Sequence, residues 1–271
     1  GGLHMLWGLG VSTLISAIGT ILIARLLGSD NMGLYAVVVA APNLIVTFRD
    51  WGINTAIIRY AAQYNTENDV AKIRSVLFSG VVFEMAMGII LFIIGFALSG
   101  FLAATYNRPN IVGLIQIAST IILTGALVNA ATSAFTGMEK MHLYSVMLIL
   151  QAIVKTGVTI ALVLLGLGTL GAVLGMTMSI LSAGIIGVLL MYTMYRSLPK
   201  PPSGKLEIKA TTKTMLKYGL PVSIGGILSG FLTVFYSNIL AIFVTDNSLI
   251  GNYSVAQNFV VLITFFATPV T

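Results

Sequence analysis

The sequence has no cysteine and few charged residues. Its 271 residues include 8 Asp or Glu and 14 Lys or Arg, so charged residues make up only 8%. The absence of cysteine excludes disulfides, thiolate metal sites and a cysteine nucleophile. A soluble domain carries about 25% charged residues, and this chain therefore has too few to cover a surface that faces water.

Long apolar runs fill most of the chain, which is 57% hydrophobic with a mean hydropathy of +1.00. About 20 helical residues cross the hydrocarbon of a bilayer, whereas barrel strands would show short alternating segments. We therefore predict an all-α polytopic membrane protein with eight spans. The predicted spans are Leu6–Leu27, Leu34–Ala62, Ser75–Phe101, Ile111–Phe135, Leu143–Leu165, Leu170–Tyr195, Leu216–Val244 and Gly251–Thr271. The glycine pairs Gly171/Gly175 and Gly226/Gly230 predict close helix contacts.

Lys and Arg are distributed unevenly between the predicted loops. The loops after spans 2, 4 and 6 are basic, whereas those on the other side contain only Arg108, with Arg25 just inside a span end. Positive charge stays on the cytoplasmic side, so we expect a cytoplasmic N-terminus in the inner, cytoplasmic membrane. These loops account for the net charge of +6, and nucleic-acid binding is not expected.

A basic, proline-containing segment divides the chain. On a helix its four regularly spaced lysines would share one face, which either rests on anionic headgroups, worth about 1 kcal/mol per Lys, or is solvated. These lysines are Lys205, Lys209, Lys213 and Lys217. We predict an N-terminal six-helix lobe at 1–195, a basic cytoplasmic linker at 196–217 and the first two helices of a truncated second lobe at 218–271.

Two short motifs occur once on each side of this segment. WGLGVS at 7–12 matches YGLPVS at 218–223, and SDN at 29–31 with GLYAV at 33–37 matches TDN at 245–247 with GNYSV at 251–255. Six spans separate the copies, so both have the same orientation, as in transporters with parallel repeats. The aromatic residues of the second pair, Tyr35 and Tyr253, either anchor in the membrane interface or stack on sugars.

The beginning of the chain resembles a known family. LIARLLG at 22–28, GLY at 33–35 and DWGINTAIIRY at 50–60 are similar to the opening of polysaccharide-biosynthesis flippases, which export O-antigen and teichoic acid and are related to multidrug (MATE) exporters. The resemblance implies a MATE-like two-lobed bundle, of which this chain is a fragment, and a lipid-linked oligosaccharide as substrate. Membrane lipid and other polysaccharide-assembly proteins are further expected partners.

No cofactor or metal is expected. The residues from Gly166 to Gly171 fit the dinucleotide pattern GxGxxG, but they follow an apolar helix and no acid lies about 20 residues later. They therefore predict a turn. His4 and His142 lie at predicted membrane edges without ligand partners.

Charged residues within the predicted spans are the candidate functional groups. An ionisable residue in hydrocarbon costs roughly 2.5–3.5 kcal/mol. At 1.5 Å per residue, Asp50 and Lys155 lie about 18 Å along spans 2 and 5, and Glu84 lies about 14 Å along span 3. Arg49 adjoins Asp50. All four are thus near the middle of the bilayer, where transporter sites lie.

Polar residues extend from these charges along the helices. The striped residues are Asn43, Thr47, Asp50 and Asn54 in span 2 and Gln151, Lys155 and Thr159 in span 5. Because residues three or four apart share a helix face, the stripes indicate a wet central cavity. Glu84 is flanked by Gly80 and Gly88, and we expect it at a tight helix contact, pointing into the protein.

Two interpretations of the buried charges remain open. In the first, Arg49 and Lys155 bind a pyrophosphate, and Asp50 or Glu84 takes part in ion coupling. In the second, one of these two acids neutralises Lys155 and holds the lobe together.

The leading functional hypothesis is a flippase that moves a polyprenyl-diphosphate-linked oligosaccharide from the cytoplasmic to the outer leaflet by alternating access. Arg25, whose motif position the resemblance supports, and Arg59 are further substrate-binding candidates near span ends. A cation-coupled multidrug antiporter is the first alternative. An integral-membrane glycosyltransferase or polymerase is the second, disfavoured because such chemistry needs a sizeable outer loop with clustered polar groups.

Overall fold

The structure is a computed structural model, and most of the residues that it describes are helical. It describes the backbone of residues 2–199 and 207–267 and the side-chain environments of residues 7–199, 207–228 and 230–260. The helices are α1 (Gly2–Val46), α2 (Ile53–Thr66), α3 (Val70–Thr105), α4 (Val112–Gly137), α5 (Met141–Leu162), α6 (Gly168–Ser197), α7 (Ile208–Phe243) and α8 (Asn247–Ala267). A 3-10 turn at Pro109–Ile111 precedes α4, and a π turn at Val163–Leu167 precedes α6. The predicted all-α class is confirmed.

Five helical stretches within the described residues are long and apolar enough to cross a bilayer. Two of them contain a break, which falls at Gly28 (φ 74°) in Trp7–Val46 and at Gly166 (φ 85°) in Met141–Ser197. Glycine adopts these left-handed angles without a steric penalty. Each break lies between two predicted spans, and the turn predicted at residues 166–171 is confirmed.

The second predicted span is not one helix. We expected a continuous helix over Leu34–Ala62, but α1 ends at Val46, α2 begins at Ile53, and the six residues between them are not helical. Gly52 has φ 76° and ψ 9°, and a Cβ atom there would overlap the carbonyl oxygen of Gly219 in α7. The interruption therefore requires glycine both for its backbone angle and for the approach of α7.

α7 begins before the predicted seventh span. α6 continues to Ser197 and α7 begins at Ile208, so residues 208–217 of the predicted linker are helical. Lys209, Lys213 and Lys217 are exposed and share one face of α7, as predicted. Lys200 and Lys205 lie outside the described residues. The division into lobes at 1–195 and 218–271 stays a prediction.

Small residues set the distance between some helices. A Cβ atom on Gly175 of α6 would overlap the hydroxyl of Thr159 in α5, and one on Gly171 would lie 3.0 Å from the backbone of α5. This predicted contact is confirmed. By contrast, Gly226 and Gly230 of α7 face open space among the described atoms, so the contact predicted for them is not found.

The two repeat motifs meet each other on the predicted outer side, where the residues just after the Gly28 break of α1 contact the start of α8. A Cβ atom on Gly33 would overlap the carbonyl oxygen of Asn247, and one on Gly251 would overlap that of Ser29. Gly33 lies four residues after Ser29, which Gly251 contacts, and Gly251 lies four residues after Asn247, which Gly33 contacts. The contact is therefore reciprocal, as expected for two copies related by a two-fold axis along the membrane normal.

Arg108 connects the α3–α4 turn to the α7–α8 turn at the same end. Its guanidinium donates to the carbonyl oxygens of Tyr106, Ala241, Val244 and Thr245 at 2.8–3.2 Å and to Asn247 Oδ1 at 3.0 Å. In the α7–α8 turn, hydrogen bonds from the hydroxyl and amide of Ser248 hold the pKa of Asp246 below its ordinary range. One side chain thus contacts most of this turn.

Candidate functional site

Arg49 lies in the interruption between α1 and α2 and forms an ion pair with Glu84 of α3. Arg49 Nε lies 3.3 Å from Glu84 Oε2, and the two side chains are 4% and 0% exposed. Arg49 Nη1 also donates a hydrogen bond to the carbonyl oxygen of Ile122 at 2.8 Å. A Cβ atom on Gly125 would lie 3.0 Å from Nη1, so this glycine of α4 leaves room for the guanidinium.

Glu84 continues the network into α2 and α4. Its Oε1 accepts a hydrogen bond from Asn54 Nδ2 at 2.9 Å, and Asn54 Oδ1 accepts one from Ser133 Oγ at 3.0 Å. A Cβ atom on Gly80 would lie 2.5 Å from a side chain of α2, and one on Gly88 would lie 2.9 Å from a side chain of α4. The prediction that Glu84 lies at a tight helix contact and points into the protein is confirmed.

This network corrects the pairing in the second sequence interpretation of the buried charges, and it adds a partner for Arg49 to the first, which stays a prediction. Arg49 is neutralised by Glu84, so it does not present an unpaired cation. Glu84 pairs with Arg49 rather than with Lys155. The correction has a simple reason, because helical periodicity places a residue on a face of its helix but does not indicate which faces of different helices meet.

Asp50 is the acid of this group that reaches a cavity. Its Oδ1 accepts hydrogen bonds from the amides of Gly52 at 2.9 Å and Asn54 at 3.5 Å, so it stabilises the start of α2. A cavity of about 400 Å³, called the central cavity below, separates the interruption, α2 and α4 from α7. Its polar and glycine lining consists of Thr47, Arg49, Asp50, Gly52, Thr55, Asn129, Ser223, Gly226 and Gly230. Counted as formal charges, the Arg49–Glu84 pair is neutral, and Asp50 adds one negative charge to this group.

The interruption also divides the polar stripe predicted for span 2. Thr47 and Asp50 line the central cavity, whereas Asn54 turns towards Glu84 inside the bundle. Asn43 lines a second cavity of about 250 Å³ between α1, α7 and α8, called the tyrosine cavity below because Tyr35 and Tyr253 both line it. The single stripe was wrong because it assumed unbroken helical rotation from residue 43 to residue 54.

The stripe predicted for span 5 follows α5, but its members differ in surroundings. Thr159 is buried against Gly175 of α6, and Gln151 is partly buried. Lys155 is partly buried, whereas Ile153 and Gly157, two residues before and after it, are exposed. Because two residues span about 200° around a helix, Lys155 lies on the side of α5 opposite to these exposed residues. Within the described part of the chain it has no hydrogen bond or ion pair.

Arg25 and Arg59 lie apart from the Arg49 network. Arg25 lines a cavity of about 310 Å³ between α1 and α8, together with Ser29 and Asn252. The Arg59 guanidinium carbon lies 4.2 Å from the centroid of the Tyr218 ring, and this cation–π contact joins α2 to α7. The structure thus gathers Arg49, Asp50, Glu84, Asn54 and Thr47 but separates the other cations from them.

Sequence reasoning missed three residues of α4 that shape this site. Gly125 makes room for Arg49, Asn129 lines the central cavity, and Ser133 hydrogen-bonds Asn54. The three are spaced by four, so they share one face of α4, and this spacing is a signal that could have identified them. In the part of the chain that the structure describes, no group of three or more His, Asp or Glu residues is placed to hold a metal ion.

Comparisons with known proteins agree with this architecture. A family model described as a polysaccharide biosynthesis protein matches residues 2–271. The chain is 27% identical over 220 residues to an uncharacterised membrane protein of Methanocaldococcus jannaschii. This match covers 74% of the chain and 48% of that protein. The chain thus spans about half the length of this relative.

A solved structure shares the fold. It is the inward-facing conformation of a multidrug resistance MATE family transporter of the MOP superfamily, with a TM-score of 0.52 and 17% identity, and the match covers 96% of this chain and 58% of that one. At this identity the likeness shows the fold alone. Together with the apolar helices, the family match shows a polytopic helical membrane protein. Because that match extends over nearly the whole sequence, the chain belongs to the polysaccharide biosynthesis protein family.

Proposed function

We propose that this protein is part of a flippase that moves a polyprenyl-diphosphate-linked oligosaccharide from the cytoplasmic to the outer leaflet by alternating access, without chemistry on the substrate. The observation that carries the proposal is the interruption between α1 and α2, which presents Asp50 to a cavity of about 400 Å³ beside α7. Non-helical backbone at membrane depth is tolerated where it is buried or lines a cavity, and interrupted helices commonly form transporter sites.

The proposal assigns different roles to the charged residues. Asp50 faces the central cavity and takes part in ion coupling, while the Arg49–Glu84 pair holds the interruption in place. Lys155, Arg25 and Arg59, for which no acidic partner is found among the described residues, lie apart and contact the diphosphate at successive points of its passage. The protein then acts in the cytoplasmic membrane with its N-terminus inside, and its partners are membrane lipid and other proteins of polysaccharide assembly.

One observation favours a second function, a cation-coupled multidrug antiporter. Since Glu84 neutralises Arg49, the charge that remains at the central cavity is the carboxylate of Asp50. A net negative cavity attracts cationic compounds. The family match to polysaccharide biosynthesis proteins supports the flippase over this alternative.

Substitution of Asp50 separates the two functions. In the host, the full-length protein carrying Asp50→Asn keeps the oxygen that accepts from Gly52 but loses the charge, so folding is preserved. The flippase proposal expects less glycan at the cell surface and accumulation of its lipid-linked precursor, both measured by mass spectrometry, at unchanged protein level. Asp69→Asn, which removes a partly exposed carboxylate at the start of α3, is the matched control. Normal surface glycan with raised sensitivity to cationic dyes would instead support the antiporter.

A further inference from the structure

The tyrosine cavity adjoins the central cavity along α1 and α7. Asn43 lines the former and Val46 the latter, and on α7 the corresponding residues are Ser237 and Val234. Residues three apart lie about one helical turn from each other. The tyrosine cavity therefore continues the central cavity towards the predicted outer end.

The lining of the tyrosine cavity is polar but uncharged. The described residues that line it include no Asp, Glu, Lys or Arg, but they include Asn43, Gln257 and Asn258 with their amides and Ser254 with its hydroxyl. Within the described part of the chain, the side chains of Asn43 and Ser254 have no hydrogen-bond partner. An ion would enter without a counter-charge, which is costly, and a purely apolar ligand would leave these groups unpaired. The cavity therefore suits a neutral ligand rich in hydroxyl groups.

Two aromatic rings add apolar surface to this polar lining. Tyr35 and Tyr253 occupy matching positions in the two copies of the repeat motif, and both line the cavity. The Tyr35 hydroxyl contacts Met176 Sδ at 2.9 Å, and the Tyr253 ring lies 6.0 Å from that of Tyr236, with its hydroxyl accepting from Gln257. Rings held in this way offer fixed aromatic faces. Sugars combine hydroxyl groups with apolar C–H faces and match both features.

We propose that the tyrosine cavity binds an uncharged sugar unit of the transported oligosaccharide, an inference that rests on the proposed flippase function. Its volume of about 250 Å³ is below the range of about 300–1,000 Å³ for sites that enclose drug-sized ligands. It therefore holds one part of the glycan at a time. The lipid-bearing diphosphate stays outside this uncharged space.

Binding of two lipids by the purified full-length protein in lipid nanodiscs tests the inference. The probes are the host's polyprenyl-diphosphate-linked glycan and the same polyprenyl diphosphate without sugar. Tyr253→Leu keeps apolar volume but removes the aromatic face, whereas Tyr253→Phe keeps the ring. Tyr192→Leu removes a tyrosine that is 56% exposed on the surface of α6 and is the matched control. Asn43→Ala removes an amide that stabilises no described contact.

The sugar site predicts a selective loss. Tyr253→Leu should weaken binding of the glycan-bearing lipid by up to about tenfold, the range of a single aromatic contact, and leave the bare lipid unchanged. Tyr253→Phe and Tyr192→Leu should bind both lipids like the wild type, and Asn43→Ala should show a smaller selective loss. Equal weakening for both lipids, no effect of Tyr253→Leu, or the same loss in Tyr253→Phe would overturn the inference while leaving the flippase intact. A wild-type protein that binds neither lipid would overturn both proposals.

Discussion

The ion pair between Arg49 and Glu84 gives the sharpest test of the site's architecture. At 3.3 Å, two unit charges attract by about 5 kcal/mol at an effective dielectric constant of about 20. Removing one partner leaves the other charge buried, and such variants lose about 3–5 kcal/mol of stability. We expect this loss for both Arg49→Gln and Glu84→Gln. The double variant leaves no buried charge, so its loss should be about 2–3 kcal/mol smaller than the sum of the single losses.

Reversible unfolding of the full-length protein in detergent micelles, followed by circular dichroism, measures these free energies. Asp69→Asn is the control. The atoms of the Asp69–Lys72 pair are 2.9 Å apart, but the two side chains are 31% and 57% exposed, and solvent screens such pairs. This control should unfold like the wild type. Single variants within about 0.5 kcal/mol of the wild type, or strictly additive losses in the double variant, would show that the pair does not hold the interruption together.

Three further substitutions test other parts of the structure. Gly52→Ala should lower the yield of folded protein, since a strained left-handed residue costs about 1–3 kcal/mol and its Cβ atom would overlap α7. Gly226→Ala, at a position that faces open space among the described atoms, should leave the yield unchanged. Asn54→Asp should prevent folding, because it places a second carboxylate beside Glu84. Size-exclusion chromatography measures the loss of folded protein, with Asn54→Gln as the control. Arg108→Lys should loosen the α7–α8 turn, which a membrane-impermeant thiol reagent would report as faster labelling of a cysteine placed at Ser248.

The helices were largely predictable because hydrocarbon imposes a minimum length on an apolar segment. Hydropathy cannot reveal a break inside a segment that is apolar on both sides, and the interruption before Gly52 was therefore missed. Its cause is one left-handed residue and the approach of α7, which a single sequence does not display. The start of α7 was misplaced for a related reason, because the lysines from 209 to 217 are polar but still helical.

The residues of the site were predictable individually but not as partners. The cost of burying charge identified Arg49, Asp50, Glu84 and Lys155. Only packing decides that Glu84 faces Arg49 while Lys155 lies on another helix without an ion pair among the described residues. The cation candidates near span ends, Arg25 among them, remain predictions.

The reciprocal glycine contact between α1 and α8 limits how these helices can move. For two copies related by a two-fold axis along the membrane normal, Gly33 lies one turn deeper than Asn247, and Gly251 lies one turn deeper than Ser29. If either helix slid along the membrane normal, one glycine would move away from its carbonyl while the other was driven into its own. Vertical displacement is therefore opposed in both directions, whereas tilting the helices apart relieves both contacts equally. A junction of this kind permits hinge-like opening and resists an elevator-like stroke.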